Sequence, residues 1–139
     1  MYSPNPGIRS YQQVGAAAQV AAADDPARLI QLLLTNAVER LALARGHMER
    51  GEIAPKGEQL SRAVAIIDTL NGLVDLEKGG EIAVNLRALY DYATQRATYA
   101  NLKNDTKSLD EATSVLREIK AGWDALASQP RPATVGAAR

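Results

Sequence analysis

Gly79-Gly80-Glu81-Ile82-Ala83-Val84-Asn85-Leu86-Arg87-Ala88-Leu89-Tyr90-Asp91-Tyr92, running out to Asn101-Leu102-Lys103-Asn104-Asp105, is the stretch that decides the fold. Two glycines in succession predict a break in whatever precedes them. Ile82, Leu86, Leu89, Ala93, Ala97 and Ala100 then recur at three- and four-residue spacing, which predicts a helix burying one face, with Ala83 and Tyr90 beside it. Asn85, Tyr92 and Tyr99, each seven apart, form a second line down a flank. This helix therefore has two faces to satisfy.

Working outward, the segment before the glycines carries Leu60, Ala63, Val64, Ile67, Leu70 and Val74 on one face and is expected to run to Lys78, with Ile66 and Leu73 on its flank. A connection holding Pro55 and Gly57 precedes it. Earlier still, Asp25-Pro26 is a helix start: the aspartate accepts from orphan amides, and proline at the first helical position gives up no needed donor. Leu29, Ile30, Leu33, Leu34, Ala37, Leu41, Ala44 and Met48 form the stripe that follows, and Gly51 supplies the left-handed stop. Beyond the deciding stretch, Ser108-Leu109-Asp110-Glu111 predicts a capping box, and Leu109, Ala112, Leu116, Ile119, Trp123 and Leu126 line one face of a last helix. The fold class expected is all-α: an antiparallel up-down-up-down four-helix bundle over residues 25–128. Residues 1–24, with Tyr2, Ile8, Tyr11 and Val14 as sparse anchors, read as an N-terminal arm able to dock on the bundle, and residues 129–139 as a flexible tail.

Bulk properties exclude several classes. Sixteen basic and sixteen acidic residues cancel and are dispersed, so nucleic acid is not an expected partner. No apolar run approaches the roughly 20 residues of a membrane span, so no membrane insertion is expected. The absence of cysteine fits a reducing compartment, and the chain is expected to be cytoplasmic.

Catalysis is not expected, nor is a cofactor or a metal. One histidine and no cysteine leave only carboxylates as ligands, and these do not recur as the inward-facing sets of di-metal bundles. Gly79-Gly80 follows a helix and is not succeeded by a lysine-serine pair, so it reads as an interhelical turn and not as a phosphate loop. His47-Met48-Glu49-Arg50-Gly51 matches the histidine-x-x-basic-glycine pattern of histidine phosphotransfer domains. That pattern needs an exposed histidine in a helix continuing past the glycine. A histidine close to a helix C-terminus, favourable to the dipole when protonated, is the simpler reading; phosphotransfer at His47 stands as the alternative function.

The flank lines suggest binding. Ile66 and Leu73 on the second helix, and Tyr92 and Tyr99 on the third, exceed what one core stripe requires. Antiparallel packing makes the two lines either converge on a groove or diverge, and bundle handedness decides which.

In this light the chain resembles the flagellin export chaperone family, FliS. The resemblance rests on Gly79-Gly80-Glu81-Ile82-Ala83, Asn85-Leu86, Leu89-Tyr90-Asp91-Tyr92 and Ala100-Asn101-Leu102-Lys103-Asn104-Asp105, in that family's order and spacing. Tyr11, Asp25-Pro26 with Leu29-Ile30, Ala65-Ile66-Ile67 to Leu70, and Ala121 to Trp123 support it. Leu34-Thr35-Asn36-Ala37 departs from the tyrosine, acidic residue and glycine that the family commonly has. The resemblance implies a non-catalytic cytoplasmic chaperone that holds the C-terminal segment of flagellin, prevents premature polymerisation and aids flagellar secretion, with the flagellar export apparatus as a further partner. It also implies an arm that can occupy the groove flagellin uses. Combining both lines, the groove is expected at Ile66, Ile67, Leu70, Leu73, Ile82, Leu86, Leu89, Tyr90 and Tyr92, with Tyr2, Ile8, Tyr11 and Val14 as the competing arm.

Overall fold

Asp25 opens the first helix as expected: its Oδ1 accepts from the Ala27 N–H at 3.1 Å, and Pro26 takes the first helical position. The computed structural model describes residues 25–129. These form α1 (Pro26–Glu49), α2 (Ile53–Gly72), α3 (Leu76–Lys103) and α4 (Thr106–Ala127), with no strand among the described residues. The expected arm with Tyr2, Ile8, Tyr11 and Val14, and the expected tail beyond Gln129, lie outside the described residues.

Each helix packs on its neighbour in sequence, and α1 closes the ring against α4. Cross-helix bonds give the relative directions. On α1 and α4, Gln31 donates to Asp124 at 2.9 Å and Arg45 to Asp110 at 2.9 Å, so rising numbers on one meet falling numbers on the other. On α2 and α3, Lys56 reaches Asn101 and Asn104 while Asn71 donates to Asp91, again opposed. The core between them is made of Leu34, Leu41, Leu60, Ile67, Leu70, Leu109 and Leu116, with alanines on every helix. The stripe on α1 is buried from Leu33 to Met48, with Leu29 and Ile30 at its start half-buried, and Gly51 takes φ 72° just past the helix end.

Three boundaries differ from the sequence reading, each for a local reason. First, α2 stops at Gly72, not Lys78, because Asp75 caps a new helix: its Oδ1 accepts from the N–H groups of Glu77 and Lys78 at 3.0 and 3.1 Å. Gly79-Gly80 is therefore not the interhelical turn. It is a kink one turn into α3, where Gly80 adopts φ 55°, ψ −130°, and a Cβ on Gly79 would meet the Ala83 Cβ at 2.6 Å. Second, α2 starts at Ile53, so Pro55 lies in its first turn, where an N–H has no intrahelical partner to lose. Third, Ser108 is not a cap. Asn104 takes the left-handed conformation (φ 54°), the chain turns at once, and Asp105 becomes the residue before α4. Ser108 is buried inside the first turn, donating to Asp105 and accepting from Arg96, whose Nε also pairs with Glu111 at 3.0 Å.

The two ends of the bundle differ. Near the α1–α2 and α3–α4 turns the core is sealed by Lys56, whose buried Nζ donates to the Asn101 carbonyl at 3.0 Å and to Asn104 Oδ1 at 3.1 Å. A cation there satisfies carbonyl oxygens left over at the C-terminus of α3. At the opposite end, where α2 stops and α4 finishes, Ile30, Val74, Leu86 and Trp123 are only half-buried.

Two stability measurements check this account. Gly80→Ala forces a side chain into a conformation that strains L residues and should cost roughly 1–3 kcal/mol in urea melts, whereas Gly72→Ala, a helical position with open space around it, should be neutral or slightly stabilising. The Asp105 carboxyl is held below its ordinary 3.8, chiefly because Ser108 donates to it, with the Arg96 charge adding. A depressed folded-state value means that the unfolded chain binds more protons as pH falls, so this stabilisation is present above ~pH 4 and lost below it. The melting temperature should be level between pH 7 and ~5 and drop below ~4, less steeply in Asp105→Asn.

Candidate binding groove

The apolar stripe of α4 outruns its cover. Leu109, Ala112 and Leu116 are sealed, Ile119 and Trp123 are half-buried, and Leu126 is 60% exposed. Across from them on α3, the antiparallel register brings the Gly79-Gly80 kink to the level of Leu126, and glycines have nothing with which to cover it. From Glu81 onward α3 is regular, and its rotation about its own axis decides which apolar residues are covered. Ile82, expected in the core, is 78% exposed, and Leu89 is 43% exposed, while Ala83 and Tyr90 take the buried positions. The buried face of α3 is therefore the line Ala83, Tyr90, Ala93, Ala97 and Ala100, displaced from the predicted one.

Two adjoining hollows result. One, of about 330 Å³, is floored by Leu70, Tyr90, Trp123 and Ile30 and rimmed by the α2–α3 connection, Leu73 to Asp75, and by Lys78 and Gly79 in the first turn of α3. The other, of about 410 Å³, lies between α3 and α4, with Leu86, Leu89, Ile119 and Leu126 in its walls. Ile82, Leu86 and Trp123 border both, so the hollows form one apolar groove.

The nine residues expected at the groove divide by depth. Ile66 and Ile67 belong to the sealed core and touch neither hollow. Leu70 and Tyr90 are buried but form the floor of the first hollow. Leu73, Ile82, Leu86 and Leu89 stand on the walls and rim. Tyr92 is 41% exposed and borders neither hollow, yet it continues the outer row Ile82, Leu89, Tyr92, Tyr99 along α3, about 25 Å at 1.5 Å rise per residue. Arg96 lies 5.0 Å from the centre of the Tyr99 ring, a cation–π contact that holds the ring on the surface.

The two flank lines diverge. Ile66 turns into the core, and the face of α3 toward α2 carries Arg87 and Asp91, both bonded to Asn71. The tyrosine line lies toward α4 instead. Sequence reasoning missed the α4 wall, namely Ile119, Trp123 and Leu126. The signal was present, because the α4 stripe stays apolar to its end while its antiparallel partner begins with two glycines.

His47 sits in the last turn of α1, and the helix ends at Glu49 with the chain turning at Gly51. Its Nδ1 lies 2.7 Å from Glu52 Oε1, which Arg50 Nε also reaches at 3.0 Å. The hydrogen bond to His47, then that to Arg50, holds the Glu52 carboxyl below its ordinary range. Since the helix does not continue past the glycine, the phosphotransfer alternative loses its structural premise, and the histidine fastens a turn. Among the described residues no helix is long and apolar enough to cross a membrane.

Comparison with known proteins gives the family. Residues 7–130 match the family Flagellar protein FliS. The chain is 49% identical to the flagellar secretion chaperone FliSB of Pseudomonas aeruginosa over 119 residues, covering 86% of this chain and 94% of that protein. It is 44% identical to the flagellar secretion chaperone FliS of Salmonella typhimurium over 126 residues (88% and 90%), and 40% identical to that of Vibrio cholerae over 117 (84% and 85%). These relatives are chaperones and not enzymes. A helical ring left open along one apolar seam, and a sequence matching this family over residues 7–130, lead to one assignment: the chain belongs to the FliS family of flagellar secretion chaperones.

Proposed function

We propose that this protein is a cytoplasmic export chaperone that binds the C-terminal segment of flagellin along α3 and α4, keeping it from polymerising before delivery to the flagellar export apparatus. The observation that carries the reading is the exposed apolar row Ile82, Leu89, Tyr92 and Tyr99, running beside the double hollow. A lone domain gains nothing by exposing such a row, and a contiguous apolar patch marks an interaction surface. Its length suits an extended or helical segment better than a compact ligand. A client that is disordered when free offsets its ordering entropy only by burying on the order of 1,000–3,000 Å². The hollows would take its largest apolar side chains, each worth about 1.5–3 kcal/mol when fully buried.

The arm of residues 1–24 is the natural competitor. It joins the described chain at Asp25, and Ile30, little more than a turn into α1, borders the first hollow. Tyr2, Ile8, Tyr11 and Val14 supply apolar side chains at spacings that would let them occupy the seam until flagellin displaces them.

Calorimetric titration with the C-terminal segment of the same organism's flagellin should give a complex of micromolar affinity or tighter. Ile82→Asp and Leu89→Asp should each weaken it at least about tenfold, since a charge in an apolar contact is left desolvated, while melting temperature stays within a few degrees because both side chains are exposed. Removing residues 1–24 should tighten binding. No heat at high micromolar concentration would end the flagellin reading, and unchanged or weaker affinity in the truncated chain would end the competition.

A further inference from the structure

Tyr90 is the residue of the groove whose chemistry does not match its surroundings. Its ring is sealed, the whole residue being 1% exposed, and its neighbours on the floor of the first hollow are Leu70, Ile30 and Trp123. Among the described residues, Nη1 of Arg62 is the sole side-chain nitrogen or oxygen both shut off from solvent and without a hydrogen-bond partner. The Tyr90 hydroxyl makes no hydrogen bond to those residues either and so keeps some contact with solvent, and the residue lines the first hollow. A phenol used only for packing could be a phenylalanine, a residue this chain never uses. Here an unbonded hydroxyl belongs to a residue that lines an apolar hollow, which a client would empty of water.

Filling that hollow with apolar side chains alone would strand the hydroxyl, and a stranded buried polar group costs binding energy. We infer that the Tyr90 hydroxyl is a specificity-determining donor, which bonds a carbonyl oxygen that the bound segment carries next to the apolar side chain seated in the hollow. This rests on the chaperone reading and adds to it a demand on the client: hydrophobicity at the right spacing does not suffice, and an acceptor must arrive at one position. Burial pushes the phenol up to about 12, so it keeps its proton throughout the range in which the protein works and acts as donor. Discrimination of this kind is asymmetric. A site that hydrogen-bonds its ligand rejects an analogue lacking the group far more strongly than an apolar site rejects an added methylene.

The test uses the full chain and the synthetic C-terminal flagellin segment. Tyr90→Phe keeps the ring and removes only the hydroxyl, so its melting temperature should stay within a few degrees of wild type while affinity falls roughly 5- to 50-fold. Two peptide series locate the acceptor. In one, each asparagine and glutamine is replaced singly by leucine; in the other, single main-chain amides become esters, whose carbonyls accept more weakly. The acceptor is the substitution that weakens binding to wild type but not to Tyr90→Phe. Equal affinity of the two proteins within twofold overturns the inference and leaves the chaperone reading standing. A Tyr90→Phe protein that melts far below wild type overturns it as well, since the hydroxyl then serves the fold. Failure of the wild-type chain to bind the segment removes the flagellin reading itself.

Discussion

Everything in this bundle follows from how unevenly α3 fills the space offered to it. Over its second half the buried face is Ala93, Ala97 and Ala100, small enough for α2 and α4 to approach closely and for the core to seal without a large side chain. Over its first turns it offers Gly79, the kinked Gly80 and Ala83. The α4 stripe stays apolar to its end, so at this end Leu86 and Trp123 are only half-covered and Leu126 is exposed. The seam is where the core runs out of side chains.

Polar contacts reinforce this asymmetry without causing it. The ion pairs at the surface, such as Arg62 with Glu58 and Lys120 with Asp124, are one helical turn apart and contribute a few tenths of a kcal/mol each. The bonds that matter more are those between helices at the closed end. There Lys56 occupies the C-terminus of α3, and Arg96, Ser108 and Asp105 tie the start of α4 to α3. Among the described residues no comparable network spans the seam, where Asn71 with Arg87 and Asp91 lies on the α2 side only. A seam without such ties can admit a segment between α3 and α4 without breaking hydrogen bonds to do so.

An open apolar seam in an otherwise well-filled bundle also suits the thermodynamics of holding an unfolded chain. The bundle is ordered in advance, so the ordering cost falls on the client alone, and long contact at modest affinity per unit area allows later release. In the proposed complex the exposed row on α3 would supply length, the two hollows depth, and the Tyr90 hydroxyl a polar requirement.

Sequence alone determined the helical class, the number of helices, the start at Asp25-Pro26 and the stop at Gly51, because caps and three-to-four spacing are local properties of the chain. It also singled out the flank lines, Ile66 with Leu73 and Tyr92 with Tyr99, as carrying more apolar surface than one core stripe requires. It misplaced the α2–α3 turn and the α4 cap, since Asp75 and Asn104 compete with stronger-looking signals nearby and only the folded backbone shows which wins. Above all, periodicity could not distinguish Ile66, which is sealed, from Ile82, which is bare, nor bring Trp123 and Leu126 opposite the glycines. Those outcomes depend on the rotation of each helix about its axis and on the register between helices distant in sequence, which are set by packing and not by any segment taken singly.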